Sequence, residues 1–262
     1  MIQNSTNFQK EIERAAELLS NCTFAVALTG AGISTPSGIP DFRSPASGLW
    51  EKHNPMEVAN IGAFRRRPED FYDWIRPLVK ITSEAKPNPA HLALARLEQG
   101  GPLQGIITQN IDGLHTDAGS KSVYEVHGHT RELECLSCSH EEPAQSHMTK
   151  LAATGDIPYC SKCRQVMKPK VILFGELLPW QIMADAEYAA AQAEVMIVAG
   201  SSLEVAPVSE LPRRSHQNGT KLIIINYQPT HVDHLADVVI REDVAKALPA
   251  IYTEFKKKQT NS

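Results

Sequence analysis

Short apolar runs punctuate the chain at 24–28, 105–108, 123–126, 195–199, 221–226 and 237–240, and several are apolar almost without a break. A half-exposed strand alternates apolar and polar positions, so unbroken runs rich in Val, Ile, Leu and Ala predict strands covered on both faces. Between them, apolar residues three and four apart predict helices over 8–19, 89–98, 179–192, a segment after Pro207, and 245–255. Strands alternating with helices predict an α/β fold built on a parallel, doubly wound sheet.

The alternation breaks twice. From 36 to 86 the chain carries Pro, Arg and aromatic residues with helical pieces and no strand pattern. From 128 to 170 it turns polar and holds four of the five cysteines. Both stretches read as excursions that join into a smaller lobe, leaving a large lobe made of 1–35, 87–127 and 171–255 and a flexible tail over 256–262. A chain of 262 residues suits one such domain with insertions. A cleft between lobes is where a cofactor and a second substrate would meet.

The cysteines add chemistry to the second excursion. Cys135/Cys138 and Cys160/Cys163 form two C-x-x-C pairs with twenty-one residues between them. Four soft donors at that spacing predict one closed, tetrahedral structural Zn²⁺ in a zinc ribbon, with a redox dithiol as the competing reading. Cys22, before an apolar run, reads as a small core residue. The formal charge of −4 gives no general attraction to nucleic acid. No apolar stretch reaches membrane-span length, the N-terminus reads as an amphipathic helix, and cysteines used for metal suit a reducing cytoplasm. A cytoplasmic monomer, without specific nucleic-acid binding, is the expectation.

Three polar sites lie at predicted strand ends. After the first strand, Gly30-Ala31-Gly32 allows close backbone approach to a pyrophosphate, or serves as a tight structural turn. Thr35 stands where a hydride-transfer fingerprint needs a third glycine, and no strand precedes Glu51, so an ordinary dehydrogenase is disfavoured. A Pro- and Gly-rich loop with Asp41 and Arg43 follows, of a composition suited to a lid. The strand at 105–108 ends in Gln109-Asn110-Ile111-Asp112, either ribose and nicotinamide partners or caps of a helix start. His127, at the end of 123–126, is a candidate general base or a hydrogen-bonded structural residue.

The motifs in order are G-A-G-I-S (30–34), G-I-P-D-F-R-S (38–44), T-Q-N-I-D-G-L-H (108–115), H-G (127–128), both C-x-x-C pairs, F-G-E (174–176) and G-S-S-L-E-V-A-P (200–207). Together they resemble the sirtuins, NAD-dependent protein lysine deacylases. The resemblance implies a Rossmann-like large lobe, a small lobe of zinc ribbon and helical module, and NAD consumed as a co-substrate. It implies His127 and Asn110 as catalytic residues. Cofactor contacts are implied at Gly30, Ala31, Gly32, Ser34, Ile39, Asp41, Phe42, Arg43, Gln109, Asn110, Ile111, Asp112, Gly200, Ser201, Ser202, Asn226 and Val244. An acetylated peptide would lie as an added strand beside Val171, Phe174, Gly175, Glu176, Leu203 and Val205. Relatives that remove succinyl or malonyl groups pair a tyrosine with an arginine three residues on; here Ile75 follows Tyr72 at that spacing and Arg76 comes one later. Acetyl is therefore the expected group. Protein mono-ADP-ribosyl transfer from the same NAD site is the alternative activity, and a non-catalytic zinc-ribbon binding module is disfavoured by the acidic balance.

Overall fold

The computed structural model describes residues 2–41 and 55–260; the expected lid residues Phe42 and Arg43 lie outside the described residues. Helix α1 (Ile2–Ser20) leads into β1 (Ala25–Thr29), which ends in two 3₁₀ turns, Ala31–Ile33 and Thr35–Ser37. Helices α2 (Pro55–Val58), α3 (Ile61–Arg66), α4 (Pro68–Glu84) and α5 (Pro89–Gly100) precede β2 (Leu103–Thr108), the short α6 (Leu114–Asp117) and β3 (Val123–Glu125). Next come β4 (Gly128–Cys135), β5 (Glu141–Pro143), α7 (Gln145–Thr154) and β6 (Met167–Val171). The chain then alternates through α8 (Trp180–Gln192), β7 (Val195–Ala199), α9 (Leu211–Gln217), β8 (Lys221–Ile225), β9 (Val238–Ile240) and α10 (Val244–Thr260).

Six strands form one parallel sheet in the order β3-β2-β1-β7-β8-β9. This is a Rossmann-like arrangement, in which the strand order reverses between β1 and β7 and a crevice opens outside the strand carboxyl ends. Every residue of β1 and β7 is buried, as unbroken apolar runs require. One face packs Ala27, Ile197 and Ile223 under α1, α5 and α10; the other packs Val26, Val198 and Ile224 under α8 and α9. Each fully buried Val or Ile contributes about 1.5–3 kcal/mol relative to exposure.

A second sheet, β5-β4-β6, is antiparallel and carries the cysteines at its margins. A third apolar cluster gathers Phe64, Phe71, Tyr72 and Leu151 with Val171 and Leu173. The stretch expected to be a flexible tail is helical as far as Thr260, because Phe255 is buried against the sheet's helical layer and carries the last turns with it. Among the described residues, no helix is long and apolar enough to cross a membrane.

Candidate active site and metal centre

Gly30 and Gly32 sit where β1 meets the end of β7. A Cβ on Gly32 would stand 2.8 Å from the Gly200 carbonyl oxygen, and one on Gly200, at φ +61°, would stand 2.2 Å from the Ile33 nitrogen. Side chains are missing here because two strand ends interlock: the Gly32 N–H donates to the Gly200 carbonyl at 2.8 Å. The sequence pattern suggested backbone access to a phosphate before a helix. The glycines lead into 3₁₀ turns in place of an α-helix, and they pack loop against loop.

Ser34, which is buried, is the hub of the crevice. Its hydroxyl donates to Asp112 Oδ2 at 2.6 Å and accepts from Asn110 Nδ2 at 3.0 Å. The alternation around Ile111 therefore sends both polar side chains to one side, while Ile111 packs towards Val171 and Phe174. Asp112 also braces the start of α6 from one residue before its N-cap Gly113, with Oδ1 accepting from the Leu114 N–H at 3.0 Å, so ligand partner and helix-start brace are compatible roles. Burial pushes the Asp112 carboxyl up, opposed by the Ser34 hydroxyl and the Leu114 N–H.

His127 lies at the end of β3, its Nδ1 3.1 Å from the Gln109 carbonyl. A carbonyl only accepts, so Nδ1 carries the proton and Nε2 keeps its lone pair. Burial lowers the ring's pKa below 6.5, with the Gln109 carbonyl pulling weakly the other way. The imidazole is neutral near pH 7 and fit to accept a proton. The loop around it is pinned: Arg131 donates to both Glu125 oxygens at 2.7 and 2.5 Å, and a Cβ on Gly128 would stand 2.0 Å from the Lys170 carbonyl oxygen.

Gln109 joins the strand ends, donating through Nε2 to Ser201 Oγ at 3.0 Å. Ser202 stands beside it, half-buried. Ile39 and Asp41 lie half-buried at the end of the described loop. Asn226 follows β8 and donates to the Gln228 carbonyl at 2.9 Å. The Val244 and Leu203 side chains are buried in the two cores, so contacts of either residue with a ligand fall to the main chain.

Val171 and Phe174 border the small-lobe cluster. The Phe174 N–H donates to the Ala59 carbonyl and its carbonyl accepts from Ile61, joining the segment after β6 to the helical module. Gly175 completes a turn at φ +88°. The Glu176 side chain accepts from the Leu173 N–H at 2.8 Å, and Val205 is half-buried on the loop after β7. Tyr72 does not face an arginine: its hydroxyl donates to the Met167 carbonyl at 2.5 Å, whereas Arg76 reaches the Ala152 carbonyl at 3.4 Å.

Several supporting residues escaped the sequence reading. Asn88 caps α5, accepting from the Ala90 N–H at 2.9 Å, and its Nδ2 braces the loop by donating to the Ile33 carbonyl at 2.8 Å. The Asn88-Pro89 pair at a helix start was the available signal. Beneath the hub, Thr108 Oγ1 accepts from the Asn110 N–H at 3.1 Å and from Thr29 Oγ1 at 2.9 Å, and Thr29 Oγ1 lies 2.9 Å from His115 Nε2. His91 stacks edge-on against His115 at 4.8 Å. Cys22 is a half-buried thiol pushed up to about 12 by burial, which suits a packing residue.

The four cysteine sulfurs lie within 4.8 Å of one another. Tetrahedral Zn–S bonds of about 2.3 Å place sulfurs about 3.8 Å apart, and the contacts Cys135–Cys163 and Cys138–Cys160 are 3.3 and 3.7 Å. Both C-x-x-C turns share one backbone pattern. The N–H of the first cysteine bonds the carbonyl five residues on (His140, Gln165), and its carbonyl accepts from the fourth (Ser139, Arg164), which has positive φ. Two equivalent turns presenting four thiols at these spacings fit a closed Zn²⁺ site.

A model of the Sir2 family matches residues 30–207. Over 250 residues, 95% of this chain and 98% of the other, the sequence is 44% identical to NAD-dependent protein deacylase 2 of Archaeoglobus fulgidus. It is 42% identical to the NAD-dependent protein deacetylase of Sulfurisphaera tokodaii, over the same shares of each chain. A solved Sir2 variant with a deacetylated p53 peptide and 3′-O-acetyl ADP-ribose superposes with a TM-score of 0.86 at 40% identity, covering 91% of this chain and 96% of that one. By motif order, sequence identity and fold, the chain belongs to the Sir2 family, the sirtuins.

Proposed function

We propose that this protein is an NAD-dependent protein lysine deacetylase. The observation that carries the reading is the convergence of Ser34, Asn110, Asp112 and His127 at the carboxyl ends of three parallel strands, beside the reversal of strand order. NAD would lie across this crevice, with adenosine towards Gly200–Ser202 and Asn226 and nicotinamide towards Ile39, Asn110 and Asp112. The acetyl-lysine peptide would run between the segment at Phe174–Glu176 and the loop at Leu203–Val205, adding a strand through main-chain hydrogen bonds.

The acetyl carbonyl oxygen attacks the anomeric carbon of the nicotinamide ribose as the glycosidic bond breaks and nicotinamide leaves. An amide oxygen is a weak nucleophile, so fixed geometry supplies most of the acceleration. Asn110 and Asp112 hold without attacking, because both are already engaged with Ser34. His127 then accepts a ribose hydroxyl proton at Nε2, and the 2′-oxygen adds to the imidate carbon. Water completes the transfer, giving free lysine and O-acetyl-ADP-ribose. Cys135, Cys138, Cys160 and Cys163 would hold a structural Zn²⁺ that ties their two turns together, and four thiolates would leave no open position for substrate. Tyr72, committed to the Met167 carbonyl, is not available to pair with an anionic acyl group, which favours acetyl.

The test is chromatography of NAD incubated with an acetyl-lysine peptide, followed by mass spectrometry of that peptide. Peptide-dependent nicotinamide release with loss of an acetyl mass is the expected result. A gain of an ADP-ribose mass, or nicotinamide release indifferent to peptide, would replace this reading with ADP-ribosyl transfer or simple NAD hydrolysis.

A further inference from the structure

Lys168, the second residue of β6, has a side chain only 1% exposed, a burial that lysine seldom accepts without compensation. Its Nζ donates to the carbonyls of Val171 at 2.8 Å and Pro169 at 3.1 Å, and pairs with Glu134 Oε1 at 3.0 Å and Glu176 Oε2 at 3.2 Å. That same Glu176 oxygen accepts from the Leu173 N–H at 2.8 Å. One ammonium group thus ties β4, through Glu134, to the turn at Leu173–Glu176, whose other side is held by Ala59 and Ile61.

We infer that Lys168 is a positioning residue that sets the path of the Leu173–Glu176 segment for binding of the acylated peptide, acting through Glu176. The inference rests on the deacetylase reading, in which that segment receives the peptide. A buried ion pair adds little net stability over an apolar replacement of equal volume, because desolvation offsets the attraction; what it supplies is direction. Direction is what main-chain pairing needs. A peptide added as a strand is bound by N–H and C=O groups that must already face it, and a segment free to wander loses that alignment before it loses the fold.

The test compares Lys168→Met, Glu176→Ala, their double variant and Glu134→Gln. Separate KM values for acetylated peptide and NAD are measured on each, with amide hydrogen exchange over 172–177 in the unliganded protein. Losing a hydrogen bond to a charged group is expected to raise peptide KM about tenfold in Lys168→Met and in Glu176→Ala, with kcat and the NAD KM within about twofold. The double variant is expected to match the singles, since both break one path. Exchange over 172–177 is expected to quicken in Lys168→Met and Glu176→Ala but not in Glu134→Gln. Wild-type peptide KM and exchange in Lys168→Met, or additive effects in the double variant, would overturn the inference. If Lys168→Met does not fold, the contrast in exchange between Glu176→Ala and Glu134→Gln decides. A wild-type protein that releases no nicotinamide with peptide defeats the deacetylase reading instead, and exchange still reports whether Lys168 orders the segment.

Discussion

His127 keeps a bare Nε2 because its other nitrogen is spoken for by the Gln109 carbonyl. Replacing it with Ala is expected to lower kcat/KM about 10²–10⁴-fold while NAD affinity, measured by calorimetry, stays near wild type. The acid limb of the pH–rate profile is expected below 6.5: burial depresses the ring pKa, the neutral base is present above that pKa, and activity falls as pH drops through it. Gly200 is constrained on two counts, a left-handed φ and an approach of 2.2 Å from a would-be Cβ to the Ile33 nitrogen. Gly200→Ala is expected to cost about 3 kcal/mol or more in urea unfolding and to weaken NAD binding, because both strand ends must part. The strand-end position of His127 was readable in the chain. The proton's placement was not, since it depends on a carbonyl eighteen residues away.

The cysteine sheet and the helices around it behave as interlocked parts. Metal binding and folding share one free energy in such sites, so Cys160→Ala is expected to purify without stoichiometric zinc and to lose protection across β4 to β6 in hydrogen exchange. An unchanged zinc content would refute the four-cysteine centre. Tyr72 belongs to this layer: its hydroxyl closes on the Met167 carbonyl, next to Lys168. The helix periods near the C-terminus were legible, but their end was not; residues 256–260 look polar in the chain, and only the anchoring of Phe255 shows why the helix persists.

For the molecule as a unit, two buried imidazoles bear on acid stability. His91 and His115 both lie at 2% exposure or less, and burial lowers His91 to about 4 and His115 well below 6.5. Between the unfolded value near 6.5 and the lowered folded values, the unfolded chain binds more protons, so stability falls as pH drops. For His91 alone the loss by pH 4 is on the order of 3 kcal/mol. Urea midpoints measured from pH 7 to 4 check it: His91→Gln, if folded, should flatten part of the slope.

Unbroken apolar runs, the 3.6-residue period, four cysteines at C-x-x-C spacing and polar clusters at strand ends are local properties. They mark the six strands of the parallel sheet, the long helices that cover it and where donors sit along the chain, but not the strands and helix inside the cysteine-bearing stretch. The joining of those donors is not local. Ser34 meets Asp112 across 78 positions, Thr29 meets His115 across 86, and Lys168 bridges Glu134 to Glu176. Such contacts exist because burying a polar group is unfavourable unless a partner arrives with it, and which partner arrives depends on how the parallel strands stack side by side.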